Sequence, residues 1–316
     1  MINRPEYLAA LETHRGKSNL IKAVTGVRRC GKSALLILFQ EKLLSDKIPA
    51  DHIISISLES IENEDLRVGK KLYNHVKRLL KDKELHYVFL DEVQLAYGYE
   101  DAVNSLRLLK NCDLYVTGSN SNILSGDLAT RWAGRYVEIK ILPLSFKEFA
   151  SAYPHNAAMD EMYAHYLQFS SFPEVLAYFQ NPLANGEAGN DKGPGLGMGW
   201  NEAGVRSYQE AIYNSIIVKD IMLQHGVKEM ALLKRVIKCM LSNIGSETSI
   251  NNMVNMLNND LKLHPKEKKV YTTTLEAYIN GLLNSYVFYK PKRYAARKRR
   301  NSRPHTFLRL SVPSWS

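Results

Sequence analysis

Gly26, Gly31, Lys32 and Ser33 stand in the order G-x-x-x-x-G-K-[ST], with Val27, Arg28, Arg29 and Cys30 at the variable positions. That is the pattern of a phosphate-binding loop. The two glycines let the backbone curl until consecutive N–H groups face phosphate oxygens. A helix starting at the loop adds the positive end of its dipole. Lys32 is placed to reach the β- and γ-phosphates, and the Ser33 hydroxyl to take a position on Mg²⁺. Gly26–Ser33 are thus candidate nucleotide contacts, with ATP and Mg²⁺ as the expected ligands. An ordinary glycine turn would not explain the β-prone run Leu20–Thr25 before the loop or the helix-like run Ser33–Leu44 after it. Cys30 reads as a small residue at a variable position, not as a redox switch.

About sixty residues later the apolar run Leu85–Leu90 ends in Asp91-Glu92. A continuous apolar run is what a strand buried on both faces requires, and the acids fall at its carboxyl end, where ligands of open α/β sheets collect. Asp91 is the expected Mg²⁺ partner, and Glu92 the group that polarises an attacking water. Leu114–Thr117 predicts another short buried strand, running into Thr117-Gly118-Ser119-Asn120-Ser121. A polar residue at that tip would reach the γ-phosphate or the water. Ser119 and Asn120 both qualify, and we favour Asn120 over an Asx or Ser turn. Arg131 and Arg135 precede the next strand, at an edge from which a guanidinium could reach a neighbour's γ-phosphate or form a surface salt bridge.

Several elements must position these groups. Pro5–Glu12 predicts an amphipathic helix, His52–Leu58 a buried strand, and Asp65–Lys83 and Glu100–Asn111 helix-prone segments. Tyr136–Leu142 predicts a last strand, followed by Pro143 and by Ser145 as the N-cap of a helix over Phe146–Ala152. The first domain is expected to span 1–152. GVRRCGKS, YVFLDEVQ, TGSNS, AGRYVEI and PLSFKEF, in this order, resemble the prokaryotic AAA+ superfamily ATPases of the archaeal-ATPase-like group. The resemblance covers Leu20 to about Tyr294. It implies an α/β P-loop NTPase core with a five-stranded parallel sheet, the sensor strand lying between the two Walker strands. It also implies that TGSNS supplies the sensor, that Arg135 is the arginine finger, and that a C-terminal domain follows.

Helical sequence is expected over Ala157–Phe179, including a Phe172-Pro173-Glu174 segment with Ser171 where the similar family has Gly. Asn181–Arg206, rich in Gly, Asn and Pro, predicts a flexible insertion. Helix resumes over Ser207–His225 within a region spanning 153–227. From 228 to 292, helices over Leu232–Asn243, Ile250–Leu261 and Tyr271–Ser285, with Val287–Tyr289 opening a wing, resemble the winged-helix segment of the same family. The 316 residues carry a formal net charge of +10, and Lys290–Arg309 holds nine Lys or Arg and no acid. Such a block attracts nucleic acid or is merely a solvated tail. DNA is thus a candidate partner of the winged helix and the basic tail at 293–316, with a protein-docking module as the alternative for the winged helix. That tail departs from the family pattern and reads as a truncated or aberrant end. Three widely spaced cysteines indicate neither a disulfide framework nor a zinc site. No apolar run has membrane-spanning length, and the polar N-terminus lacks a signal-peptide core. A cytoplasmic ATPase coupled to conformational change, possible as a homo-oligomer, is the leading expectation; a slow nucleotide-gated switch is the alternative.

Overall fold

A computed structural model describes residues 1–118, 132–153, 157–180, 202–216, 221–222, 229–244, 246, 248–260, 269–286 and 288. Ser119, Asn120, Arg131, the greater part of the expected insertion, the wing positions Val287 and Tyr289 and the basic tail lie outside them. The chain divides into two compact units, Met1–Val205 and Arg206–Ser316.

The first unit begins with helix α1 (Pro5–Thr13), strand β1 (Ile21–Gly26), helix α2 (Lys32–Ser45) and strand β2 (Ile53–Ser57). Helix α3 (Gly69–Leu79), strand β3 (His86–Asp91), helix α4 (Tyr99–Arg107), strand β4 (Cys112–Gly118) and strand β5 (Tyr136–Ile141) follow. The five strands form one parallel sheet in the order β2-β3-β4-β1-β5, so the sensor strand lies between the two Walker strands as expected. Helices on a parallel sheet bury both of its faces, and β1 and β4 are buried along their whole length. Ile21, Ala23, Val88, Leu90, Leu114 and Val116 form the centre of one core layer. Phe39 of α2 packs with Phe89 and Tyr115 in another group of rings, their centroids 4.8–6.3 Å apart.

β4 extends beyond its apolar run, and Asp113 in that extension is buried for another reason. Asp113 forms an ion pair with Lys22 of β1, both fully buried, and accepts hydrogen bonds from the Tyr115 hydroxyl and the Gly16 amide at 2.9 Å. Lys22 also donates to the Lys17 carbonyl at 2.7 Å. Burial lowers the Lys22 pKa, and Asp113 opposes that shift. Lys22 and Tyr115 are register partners across the β1–β4 seam, so the pair fastens the two strands at one level.

After β5, Ser145 caps helix α5 (Phe146–Ala152) through a reciprocal capping box with Glu148, which agrees with the N-cap expected there. The helical sequence expected over Ala157–Phe179 forms two helices, α6 (Met159–Phe169) and α7 (Val175–Gln180). Ser170 adopts φ +78°, and Pro173, which has no N–H, follows. Helix α8 (Glu202–Ser215) starts inside the stretch read as an insertion to 206, because Val205, Tyr208 and Ile212 recur at helical spacing and are buried.

In the second unit three helices, α9 (Met230–Ser242), α10 (Ile250–Asp260) and α11 (Thr272–Asn284), match the expected segments to within two residues. Leu233, Val236, Ile237 and Met240 bury one stripe of α9, and Leu275, Tyr278, Ile279 and Leu282 one stripe of α11. The Asn258 side chain brackets Val270, donating to its carbonyl at 2.9 Å and accepting its amide at 2.8 Å. Arg235 donates to the Leu257 carbonyl at 2.6 Å.

The β1–β4 ion pair generates a prediction. Lys22→Met leaves Asp113 buried and unpaired and is expected to lower unfolding stability by about 3–5 kcal/mol. The double variant Lys22→Met with Asp113→Leu should recover most of that loss in denaturant unfolding. Equal stability of Lys22→Met and the parent would show that the pair does not hold the seam.

Candidate functional site

The loop between β1 and α2 is built around two glycines that other residues could not replace. Gly26 has φ +153°, and a Cβ there would lie 2.3 Å from the Ile141 carbonyl oxygen and 2.9 Å from the Cys30 sulfur. Gly31 caps α2 with φ +97°. Val27 and Cys30 are fully buried. The Cys30 thiol, pushed up by burial with Lys32 and Arg4 opposing, is 3.7 Å from the Ile141 carbonyl, so it serves as packing. Arg29 holds φ +64°, and Arg28 is 3.8 Å from the Glu59 carboxylate. The Lys32 ammonium folds back on the loop, donating to the carbonyls of Gly26 at 3.3 Å and Val27 at 3.2 Å.

At the carboxyl ends of β3 and β4 the polar groups converge. The Ser33 hydroxyl lies 3.0 and 2.8 Å from the two oxygens of Asp91. The Thr117 hydroxyl donates to Asp91 Oδ1 and accepts the Glu92 amide at 2.9 Å. Glu92 itself sits in the left-handed region, φ +53° and ψ +49°, and its carboxylate accepts a hydrogen bond from the Gln94 side chain. Ser33 and Asp91 are adjacent hard oxygen donors, which suit Mg²⁺. Thr117 and Gln94 were not singled out from sequence. For Thr117 the register carries the signal: Leu90 pairs with Val116, so Asp91 comes level with Thr117.

Arg135 occupies the other end of the sheet. Its carbonyl accepts the Ile21 amide at 2.9 Å, before β5 begins, whereas the loop follows the far end of β1. Five strand steps of 3.3 Å separate the two ends by about 17 Å. Arg107 lies near it, its pKa lowered by burial and then by the charge of Arg135.

Beside the first turn of α2 opens a cavity of about 830 Å³, lined by Ile2, Pro5, Gly31, Leu38, Leu144 and Pro173 among others. Pro173 overhangs the loop, its ring 3.7 Å from where a Cβ on Gly31 would be. The Phe172–Glu174 segment thus reaches the mouth of the site. A separate cluster, His52, Asp82 and His86, has a geometry that does not suit a metal. The two imidazoles stack 4.4 Å apart with planes 20° from parallel, so their lone pairs run side by side instead of meeting at one ion. His86 Nδ1 is already 2.9 Å from the Glu84 carbonyl. No helix among the described residues is long and apolar enough to cross a membrane.

Comparison with known proteins agrees with this geometry. The family model of an AAA domain matches residues 18–150. An uncharacterized protein of Haemophilus influenzae is 32% identical over 303 residues, covering 94% of this chain and 68% of that protein. The uncharacterized protein MJ1544 of Methanocaldococcus jannaschii is 24% identical over 288 residues, covering 85% of this chain and 58% of the relative. Among solved structures, the ORC2 protein of Aeropyrum pernix, in ADPNP and ADP complexes, superposes with a TM-score of 0.54 at 10% identity. That match covers 98% of this chain and 88% of ORC2.

The hydroxyl of Thr117 is testable directly. Thr117→Val removes one donor and one acceptor from a buried network and is expected to reduce unfolding stability by about 1–3 kcal/mol. Thr117→Ser should keep it. If the valine variant unfolds like the parent, the hydroxyl is not engaged as described.

Proposed function

Because the chain belongs to the AAA+ family of P-loop ATPases, we propose that it binds ATP on Gly26–Ser33 and hydrolyses it to drive a conformational change. One observation carries this reading: Ser33, Asp91, Thr117 and Glu92 meet at one end of the sheet, beside the N-terminus of α2. Lys32 would leave the Gly26 and Val27 carbonyls for the phosphates, and the freed loop amides would cradle them. Ser33 and Asp91 would hold Mg²⁺, which neutralises charge on the phosphoryl oxygens. Glu92 would orient water once its carboxylate is released by Gln94. The cavity beside α2, which Gly31 of the loop also lines, would take base and ribose. Asn120, or Ser119, would sense the γ-phosphate from the tip of β4.

Arg135 is about a sheet's length from its own loop, so it would act as a finger only on the nucleotide of a second copy. We therefore include a homo-oligomer in the proposal. The helices α9, α10 and α11, read as a winged helix, would contact DNA together with the basic tail.

A second reading has its own observation. In this structure the Glu92 carboxylate is engaged by Gln94, and a base held this way suits a slow nucleotide-gated switch. Steady-state ATPase activity with and without DNA separates the two. Stimulated turnover supports the motor, and tight nucleotide retention with negligible turnover supports the switch.

Three variants test the assignments together. Lys32→Ala is expected to lose nucleotide binding while remaining folded. Glu92→Gln should bind ATP but hydrolyse it about two orders of magnitude more slowly. Arg135→Ala should bind normally and turn over poorly, with partial rescue on mixing with Lys32→Ala chains. Unchanged hydrolysis by Lys32→Ala would remove the site assignment altogether.

A further inference from the structure

Arg4 precedes α1 and is far in sequence from every motif, yet it is 3% exposed. Its guanidinium joins three separate segments. Nη1 donates to the Cys30 carbonyl at 3.1 Å, inside the phosphate loop. Nη2 donates to the carbonyls of Leu142 at 2.9 Å and Pro143 at 3.4 Å, where the chain leaves β5. Nε and Nη2 together grip the Glu148 carboxylate at 2.9 and 3.1 Å, and Glu148 closes the capping box of α5. The Tyr7 ring lies 4.4 Å from the guanidinium carbon, and its hydroxyl accepts the Leu142 amide at 3.2 Å. Only a planar fork with several fixed donors can serve these acceptors at once; a lysine offers a single point of attachment.

The contact with Cys30 bears on the phosphate grip. In a planar trans peptide the C=O and N–H vectors point in opposite directions. A hydrogen bond that draws the Cys30 carbonyl toward Arg4 therefore turns the Gly31 N–H away from it. That amide is the one immediately before Lys32 in the loop. The same Arg4, with Pro5 and Glu148, lines the cavity beside α2.

We propose that Arg4 is a positioning residue that sets the Cys30–Gly31 peptide and so links the wall of the base cavity to the phosphate-binding amides. The proposal rests on the ATP-binding reading for its consequence, though not for its geometry. Arg4 does not touch the phosphates; it acts through the loop.

The test uses the full chain, without nucleotide and with mant-ATP. Arg4→Met alone would strand Glu148, so the informative variant is the double Arg4→Met with Glu148→Met, which removes the buried pair without leaving a lone charge. Glu148→Gln keeps Arg4 and its carbonyl contacts, at a cost in unfolding stability because the buried guanidinium loses its counter-charge. The double variant is expected to unfold near the parent's midpoint, yet its Gly31–Ser33 amides should exchange about tenfold faster and its mant-ATP affinity fall about tenfold. Glu148→Gln should resemble the parent in both measurements. Parent-like exchange in the double variant overturns the positioning role and leaves Arg4 a structural ion pair. If exchange quickens as expected but the parent chain does not bind mant-ATP, the role in the loop stands and the ATP reading fails. An Arg4→Lys variant with parent-like exchange would also overturn the proposal, because a single ammonium would then suffice.

Discussion

The first unit depends on β4 lying between β1 and β3 with its register held. Lys22 pairs with Tyr115 and Val24 with Thr117 on one side, and Leu90 with Val116 on the other. These alignments bring the phosphate loop, the Thr117 hydroxyl and the Asp91 carboxylate to one level. A slip of one residue would move the strand end by about 3.3 Å and turn every side chain to the opposite face. The buried Lys22–Asp113 pair, with Tyr115 and Gly16 on the same carboxylate, opposes such a slip because any other register leaves a charge in the core.

Much of this was legible in the sequence. Both Walker strands read as apolar runs, because strands covered on both faces have no solvent side to mark. The start of α5 was legible as well, since Ser145 and Glu148 are a capping box three residues apart. What escaped was set by partners distant in sequence. Asp113 lies just outside the apolar run Leu114–Thr117, and its burial depends on Lys22, 91 residues away. Thr117 was passed over for Ser119 and Asn120, since its proximity to Asp91 comes from strand register. The division between α6 and α7 turns on Ser170 at φ +78°, a conformation serine seldom adopts and sequence does not announce.

In the second unit the helices are legible in the sequence and the partner is not. Leu233, Val236, Ile237 and Met240 mark one buried stripe by spacing alone. The same spacing serves a DNA-reading module and a protein-docking one equally, so periodicity reaches the core but not the partner.

Glu92 has a consequence for how this chain balances durability against chemistry. A non-glycine residue at φ +53° sits in sparsely occupied backbone territory, a strain on the order of 1–3 kcal/mol. On the proposed reading, the position most in need of a carboxylate is thus one where glycine would be more comfortable. Replacement by glycine would relieve the turn while discarding the acid. If Glu92 orients water as proposed, local stability is given up here for reactivity.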